Sequence, residues 1–191
     1  MRVLALDAST KTGWALFDDG RLLQSGALKP VKIRNFNVND KNAQKSDDYP
    51  YNIVDAAAEE VSLIHDLIQQ KWPLDIVVVE NTNKGKNRHT QRVLEFIHHE
   101  MLLDFRDYSL VKMKYMDTSE WRSIVGLWMS KDDLKNNKEV RAGKKRGKIS
   151  KKHLAVRMVN DRFGKALKLK DNDEADAILM GLAYVKSHAA G

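Results

Sequence analysis

Two short apolar runs in this chain each stop on a carboxylate. Val3-Leu4-Ala5-Leu6 ends at Asp7, and Ile76-Val77-Val78-Val79 ends at Glu80. Runs this short, apolar at every position, suit strands buried on both faces, as in sheets covered by helices on each side. A lone carboxylate beside such a strand costs several kcal/mol unless a positive group meets it. If the two strands are parallel neighbours, Asp7 and Glu80 emerge together at one edge of the sheet. That carboxyl-end edge is where open α/β sheets place their sites. Taken alone, Asp7 also fits a turn at the sheet's rim; Glu80, after four β-branched residues, is harder to explain that way.

The rest of the chain supplies a mixed sheet. Gly13 to Phe17 reads as a second strand, and Asp19-Gly20 is a hairpin signal leading into a third, Leu22 to Leu28. A long polar loop, 29–50, is bracketed by Pro30 and Pro50. Apolar residues recur at helical spacing from Asn52 to Lys71 and again from His89 to Phe105, on either side of the Ile76 strand. Leu110 to Tyr115 alternates as a fifth strand, and Thr118 opens a helix that ends by Gly126. A charged stretch runs from Ser130 to Lys152, followed by helices over Ser150–Phe163 and Asp173–Lys186. The expectation is one α/β domain over 1–191, with the polar loop at 29–50 and a basic insertion at about 127–150.

The last helix brings two more acids. Asp173 and Asp176 are three apart at its start and so share a face. An acid in a first helical turn can also be a simple dipole partner worth about 0.3–1 kcal/mol, the reading that suits Glu174 and Asp171. Asp7, Glu80, Asp173 and Asp176 together describe an all-oxygen site for a hard cation, Mg²⁺ or Mn²⁺. The chain has no cysteine, which excludes disulfides, thiolate zinc sites and thiol nucleophiles. Two such ions can stabilise both the attacking water and the leaving oxygen in phosphodiester hydrolysis.

The formal net charge of +7 favours a polyanionic partner. Lys84, Lys86, Arg88 and Arg92 follow Glu80 closely, and Arg141, Lys144, Lys145, Arg146, Lys148, Lys151 and Lys152 form a dense run before the last helices. A charge run can be merely a solvated face, but these residues are the candidates for nucleic-acid contact. His98 and His99 are adjacent on a helix and face different ways, which argues against a metal pair. Trp121 reads as a packing residue, and Trp128 lies next to the basic run. No apolar stretch approaches the roughly 20 residues of a membrane span. With no leader pattern and no cysteine, the expected compartment is the cytoplasm.

Asp7 in LALDASTKTGWA, Glu80 in VVVENT, and Asp173 and Asp176 in DEADA resemble the RuvC family of Holliday-junction resolvases, in the RNase H-like superfamily. The resemblance covers nearly the whole chain in element order. It implies an RNase H-like sheet of five strands, three antiparallel and then parallel, flanked by helices. It implies a homodimer that nicks opposing strands of a four-way DNA junction, with two divalent ions per active site and 5′-phosphate and 3′-hydroxyl products. The four acids match the family's ligands, and the outer face of the Val93–Met101 helix would join the dimer. Bacterial members carry an aromatic wedge where this chain has Asn83. That difference and the added segments point to a divergent phage-type member, which would act in the host cytoplasm. The alternatives are a flap, fork or RNA–DNA hybrid nuclease of the same fold, a sugar-kinase-like phosphotransferase, and a non-catalytic nucleic-acid binder.

Overall fold

A computed structural model of the chain describes residues 1–35, 37–45, 48–81, 88–106, 111–144 and 146–188. Its centre is a sheet of five strands, β1 (Arg2–Asp7), β2 (Gly13–Asp18), β3 (Arg21–Ala27), β4 (Ile76–Glu80) and β5 (Lys112–Met116), in the order β3-β2-β1-β4-β5. β1, β2 and β3 form an antiparallel meander, whereas β4 is parallel to both β1 and β5. The expected mixed sheet is therefore present, with the two acid-ended strands as neighbours at its centre.

Strand parity decides which helices meet which residues. Successive side chains of a strand point to opposite faces. Leu4, Leu6, Leu16, Val77 and Val79 pack on one face against α1 (Tyr51–Lys71) and α2 (Arg88–Arg106). Val3, Ala5, Ala15, Phe17, Ile76 and Val78 pack on the other, against α3 (Thr118–Val125), α5 (Lys151–Phe163) and α6 (Asn172–His188). Both faces of β1 and β4 are thus covered, which is why those strands are apolar throughout.

The helix α6 lies close on the sheet because two glycines let it. A Cβ at Gly181 would stand 2.5 Å from Phe17 Cε2 and 3.0 Å from Ala5 Cβ, and one at Gly13 would stand 2.0 Å from the Asp173 carbonyl oxygen. Next to Gly13, on the other side of the sheet, Thr12 donates its backbone N–H to Glu60 Oε1 of α1 at 3.2 Å. Glu60 is fully buried, so this bond pins the β1–β2 turn on the opposite layer.

The charged stretch after Ser130 differs from expectation: it contains a helix, α4 (Lys131–Arg141). It has little apolar surface and is held by polar contacts. Ser130 caps it reciprocally with Asp133, Arg157 of α5 grips Asp133 with two hydrogen bonds of 3.2 and 2.8 Å, and Asn137 bonds both the N–H and the carbonyl of Ile149 at 2.8 Å. The polar loop after β3 is fastened at intervals. Val31 N–H donates to the Thr10 carbonyl at 2.8 Å, and Asn52 reaches the Arg34 carbonyl at 2.8 Å. Among the described residues no helix is long and apolar enough to cross a membrane.

Candidate active site

Parity places the first two acids. Asp7 continues the series Val3, Ala5, and Glu80 continues Ile76, Val78, so both carboxylates belong to the α6 side of the sheet. Leu6 and Val79 are register partners, which sets Asp7 and Glu80 side by side one step further on. The start of α6 then delivers Asp173 and Asp176 to the same place. All four acids line one open pocket of about 380 Å³, with Ser9 and Thr10 from the β1–β2 turn, Thr90 and Val93 from α2, Thr118 and Arg122 from α3, and Lys152 from α5.

Each acid has a different environment. Burial raises Asp7 well above the usual carboxyl range, and the negative charges of Glu80, Asp176 and Asp173 push the same way. Burial and the Glu80 charge likewise push Asp176 up to about 7, although Arg122 and Lys152 pull it down. Burial among like charges thus disfavours the ionised form of both carboxyls, and the cations beside Asp176 offset it only in part. Glu80 Oε1 accepts hydrogen bonds from the Thr118 hydroxyl and, at 3.1 Å, from Trp121 Nε1. Asp173 accepts from the Asn172 amide and faces Lys11 Nζ at 3.5 Å. Lys11 also donates to the Lys170 carbonyl at 2.8 Å, tying the β1–β2 turn to the approach to α6.

Among the described residues, no group of three or more Asp, Glu or His side chains is gathered so that it could hold a metal ion. Glu80 and Asp173 are each held by their own neighbours, Thr118 and Trp121 for the first and Asn172 and Lys11 for the second. The residues nevertheless fit a hard cation. Asp176 Oδ1 is buried without a hydrogen-bond partner, and the donor set is entirely carboxylate oxygen, the chemistry such ions select.

Of the basic candidates, Lys152 lines the pocket. Arg92 lies on the same helix as Thr90 and Val93. It donates to the Tyr49 hydroxyl at 3.1 Å, with its guanidinium 5.7 Å from that ring's centroid. Arg88, Arg141, Lys144, Arg146, Lys148 and Lys151 are exposed and line no part of the pocket. Lys84, Lys86, Asn83 and Lys145 lie outside the described residues. Glu174 does more than favour the helix dipole: its Oε1 accepts from Ser25 at 2.6 Å and from Lys165 at 3.0 Å. Asp171 accepts the Lys168 N–H at 2.9 Å.

Sequence reasoning missed Arg122, Thr118, Lys11 and the polar role of Trp121. Trp121 is fully buried as expected, but it also orients Glu80. The only signal lay in its position next to a predicted helix start just after the fifth strand. His98 is buried beside Tyr115, with Nδ1 3.3 Å from the phenol oxygen. Burial lowers its pKa, so it is a neutral core residue.

No protein-family model matches the chain, and no curated protein sequence matches it significantly. Solved structures do. The chain superposes on Thermus thermophilus RuvC in complex with a Holliday junction substrate with a TM-score of 0.59 and 13% identity, covering 100% of this chain and 96% of that one. A second Thermus thermophilus RuvC structure gives a TM-score of 0.53 and 13% identity, covering 99% and 96%. The yeast mitochondrial Holliday junction resolvase gives 0.53 and 13%, covering 98% of this chain and 79% of that one. At this identity the likeness shows the fold, which is RuvC-like and RNase H-like.

Proposed function

We propose that this chain of RuvC-like fold is a divalent-metal-dependent endonuclease that resolves four-way DNA junctions. The observation that carries the reading is the meeting of Asp7, Glu80, Asp173 and Asp176 in one pocket, with a buried Asp176 oxygen lacking any donor. The fold, shared with a RuvC bound to a Holliday junction, favours branched DNA over other phosphodiesters.

Asp7, Glu80, Asp173 and Asp176 would hold Mg²⁺ or Mn²⁺, two ions per site. When bound, such ions activate water and neutralise charge on the leaving oxygen. The chain's own part is orientation and charge. Thr118 and Trp121 fix the carboxylate of Glu80, Lys11 and Asn172 fix that of Asp173, and Lys152 offers positive charge to an arriving phosphate. Water adds to phosphorus, the bond to O3′ breaks, and the strand ends as 5′-phosphate and 3′-hydroxyl. Two copies of the chain, each cutting one of two opposing strands, would give paired symmetric nicks. The exposed cations of 141–152 and Arg88 extend the charged path for the duplex arms. We place this activity in the cytoplasm.

The test is incubation with Mg²⁺ and end-labelled four-way junction, flap, fork, linear duplex and RNA–DNA hybrid. Paired symmetric nicks confined to the junction are expected. Cutting of flaps or hybrids in preference to junctions would transfer the protein to another substrate class.

A further inference from the structure

Arg122 and Asp176 are an ill-matched pair. Arg122 Nη2 stands 3.7 Å from Asp176 Oδ2, beyond hydrogen-bond reach. Arg122 Nε and Asp176 Oδ1 are both buried, and neither has a hydrogen-bond partner. The same chain shows what a finished pair looks like: Arg157 meets Asp133 with two hydrogen bonds, at 3.2 and 2.8 Å. Arg122 is held otherwise. Its guanidinium lies over the ring of Trp121, 4.9 Å from the centroid, and Trp121 is itself fully buried and bonded to Glu80.

Each member of the pair is thus short of a different ligand. Asp176 has an oxygen without a donor, and Arg122 has a donor without an oxygen. A divalent cation satisfies the first, and a phosphodiester oxyanion, which guanidinium forks bind well, satisfies the second. The other nearby cations are engaged or open: Lys11 is bonded to the Lys170 carbonyl, and Lys152 is exposed at the start of α5.

We propose that Arg122 is an exchangeable counter-charge: it steadies Asp176 in the DNA-free protein and turns its guanidinium, with the unpartnered Nε, to a non-bridging oxygen of the DNA phosphate when a cation takes its place at Asp176. The proposal rests on the carboxylate–cation reading above. Two consequences follow from the charges. Without DNA, Arg122 and the cation compete for Asp176. With DNA, Arg122 rewards their joint arrival, so cation and phosphate bind cooperatively.

The experiment uses Ca²⁺ as the probe ion, followed by calorimetry, and a fluorescent four-way junction, followed by anisotropy. Arg122→Gln should tighten Ca²⁺ binding to the DNA-free protein by roughly three- to tenfold, because one positive charge near the ion is gone. In the wild type Ca²⁺ should strengthen junction binding, and Arg122→Gln should abolish that strengthening. Ca²⁺ affinity that is unchanged or weaker in Arg122→Gln, or an equal Ca²⁺ effect on junction affinity in both proteins, overturns the proposal. If Arg122→Gln does not melt cooperatively, Arg122→Lys decides. Its charge should keep DNA-free Ca²⁺ affinity within about twofold of wild type, while the loss of the fork cuts the Ca²⁺ effect on junction affinity. An undiminished effect in Arg122→Lys overturns the proposal. Absence in the wild type of any Ca²⁺ binding that Asp176→Asn removes would sink the carboxylate–cation reading and this inference with it.

Discussion

Gly13 of β2 stands against Asp173 at the head of α6, so close that a Cβ on residue 13 would lie 2.0 Å from the Asp173 carbonyl oxygen and 2.1 Å from its carbonyl carbon. Gly13 is also the register partner of Asp7. One residue therefore sets the spacing between two of the four acids. The obstacle is backbone and cannot rotate away, so Gly13→Ala must lift the helix head from the sheet. We expect a loss of about 1–3 kcal/mol in denaturant unfolding. Single-turnover junction cleavage should fall by at least roughly tenfold, since small misplacements at a reacting centre are costly. Wild-type cleavage by this variant would detach the helix head from the chemistry.

The acids oppose folding when no cation is present. Burial and neighbouring carboxylates raise Asp7, and burial and Glu80 raise Asp176 to about 7 from 3.8. A carboxyl with a raised folded pKa keeps its proton longer in the folded state. Its stabilising share is whole below the unfolded pKa and is lost as pH rises through the folded one. For Asp176 that window runs from 3.8 to about 7. In a chelating buffer at pH 8, Asp176→Asn should melt roughly 3–8 °C above wild type, with the gap closing towards pH 4. Equal melting at pH 8 would contradict the buried, repelled carboxylate.

Glu80 depends on two partners from α3. Trp121→Phe keeps the buried ring but removes the 3.1 Å bond from Nε1, and Thr118→Val removes the hydroxyl donor. Groups that orient ligands in this way are worth roughly 10–100-fold in metal affinity or activity. Each variant should need more Mg²⁺ for half-maximal cleavage while binding the junction as wild type does in metal-free buffer. An unchanged Mg²⁺ titration would reduce both residues to packing.

The helix α4 should be the acid-labile part of the fold. Arg157 and the Ser130 N–H hold Asp133 at a pKa of about 2, below its ordinary 3.8. The stabilisation is complete above 3.8 and disappears as pH falls through about 2. Asp133→Asn should speed amide exchange across Lys131–Arg141 at pH 7, leaving β1 and β4 protected. If β1 and β4 exchange faster by the same factor, α4 is not a separate unit.

Much of this site was legible because it follows from strand parity and element order. Asp7 and Glu80 end apolar runs, and Asp173 and Asp176 open an apolar helix; each is a local pattern. What was not legible is held by contacts between distant segments. Trp121 reaches Glu80 across 41 positions, and the pairing of Arg122 with Asp176 spans two helices, which no periodicity encodes. Glu60 sat inside an ordinary amphipathic helix pattern, and only the packed turn shows it bonded to Thr12. The helix α4 was hidden because its buried positions are Asp133 and Asn137, which do not register as an apolar stripe; the capping pattern from Ser130 to Asp133 was the one available sign.

If the four carboxylates act together on a DNA phosphate, removing any one of them must slow cleavage without weakening DNA binding. The most direct measurement is single-turnover cleavage of a four-way junction in Mg²⁺ by wild type and by Asp7→Asn, Glu80→Gln, Asp173→Asn and Asp176→Asn, with junction affinity determined in metal-free buffer. Each variant should lose at least roughly 100-fold in cleavage rate, about 2.7 kcal/mol of barrier, while binding the junction as tightly as wild type or more so. Wild-type cleavage by Asp7→Asn would remove Asp7 from the chemistry, and tight junction binding by wild type with no Mg²⁺-dependent cutting would make the protein a DNA binder and not a nuclease.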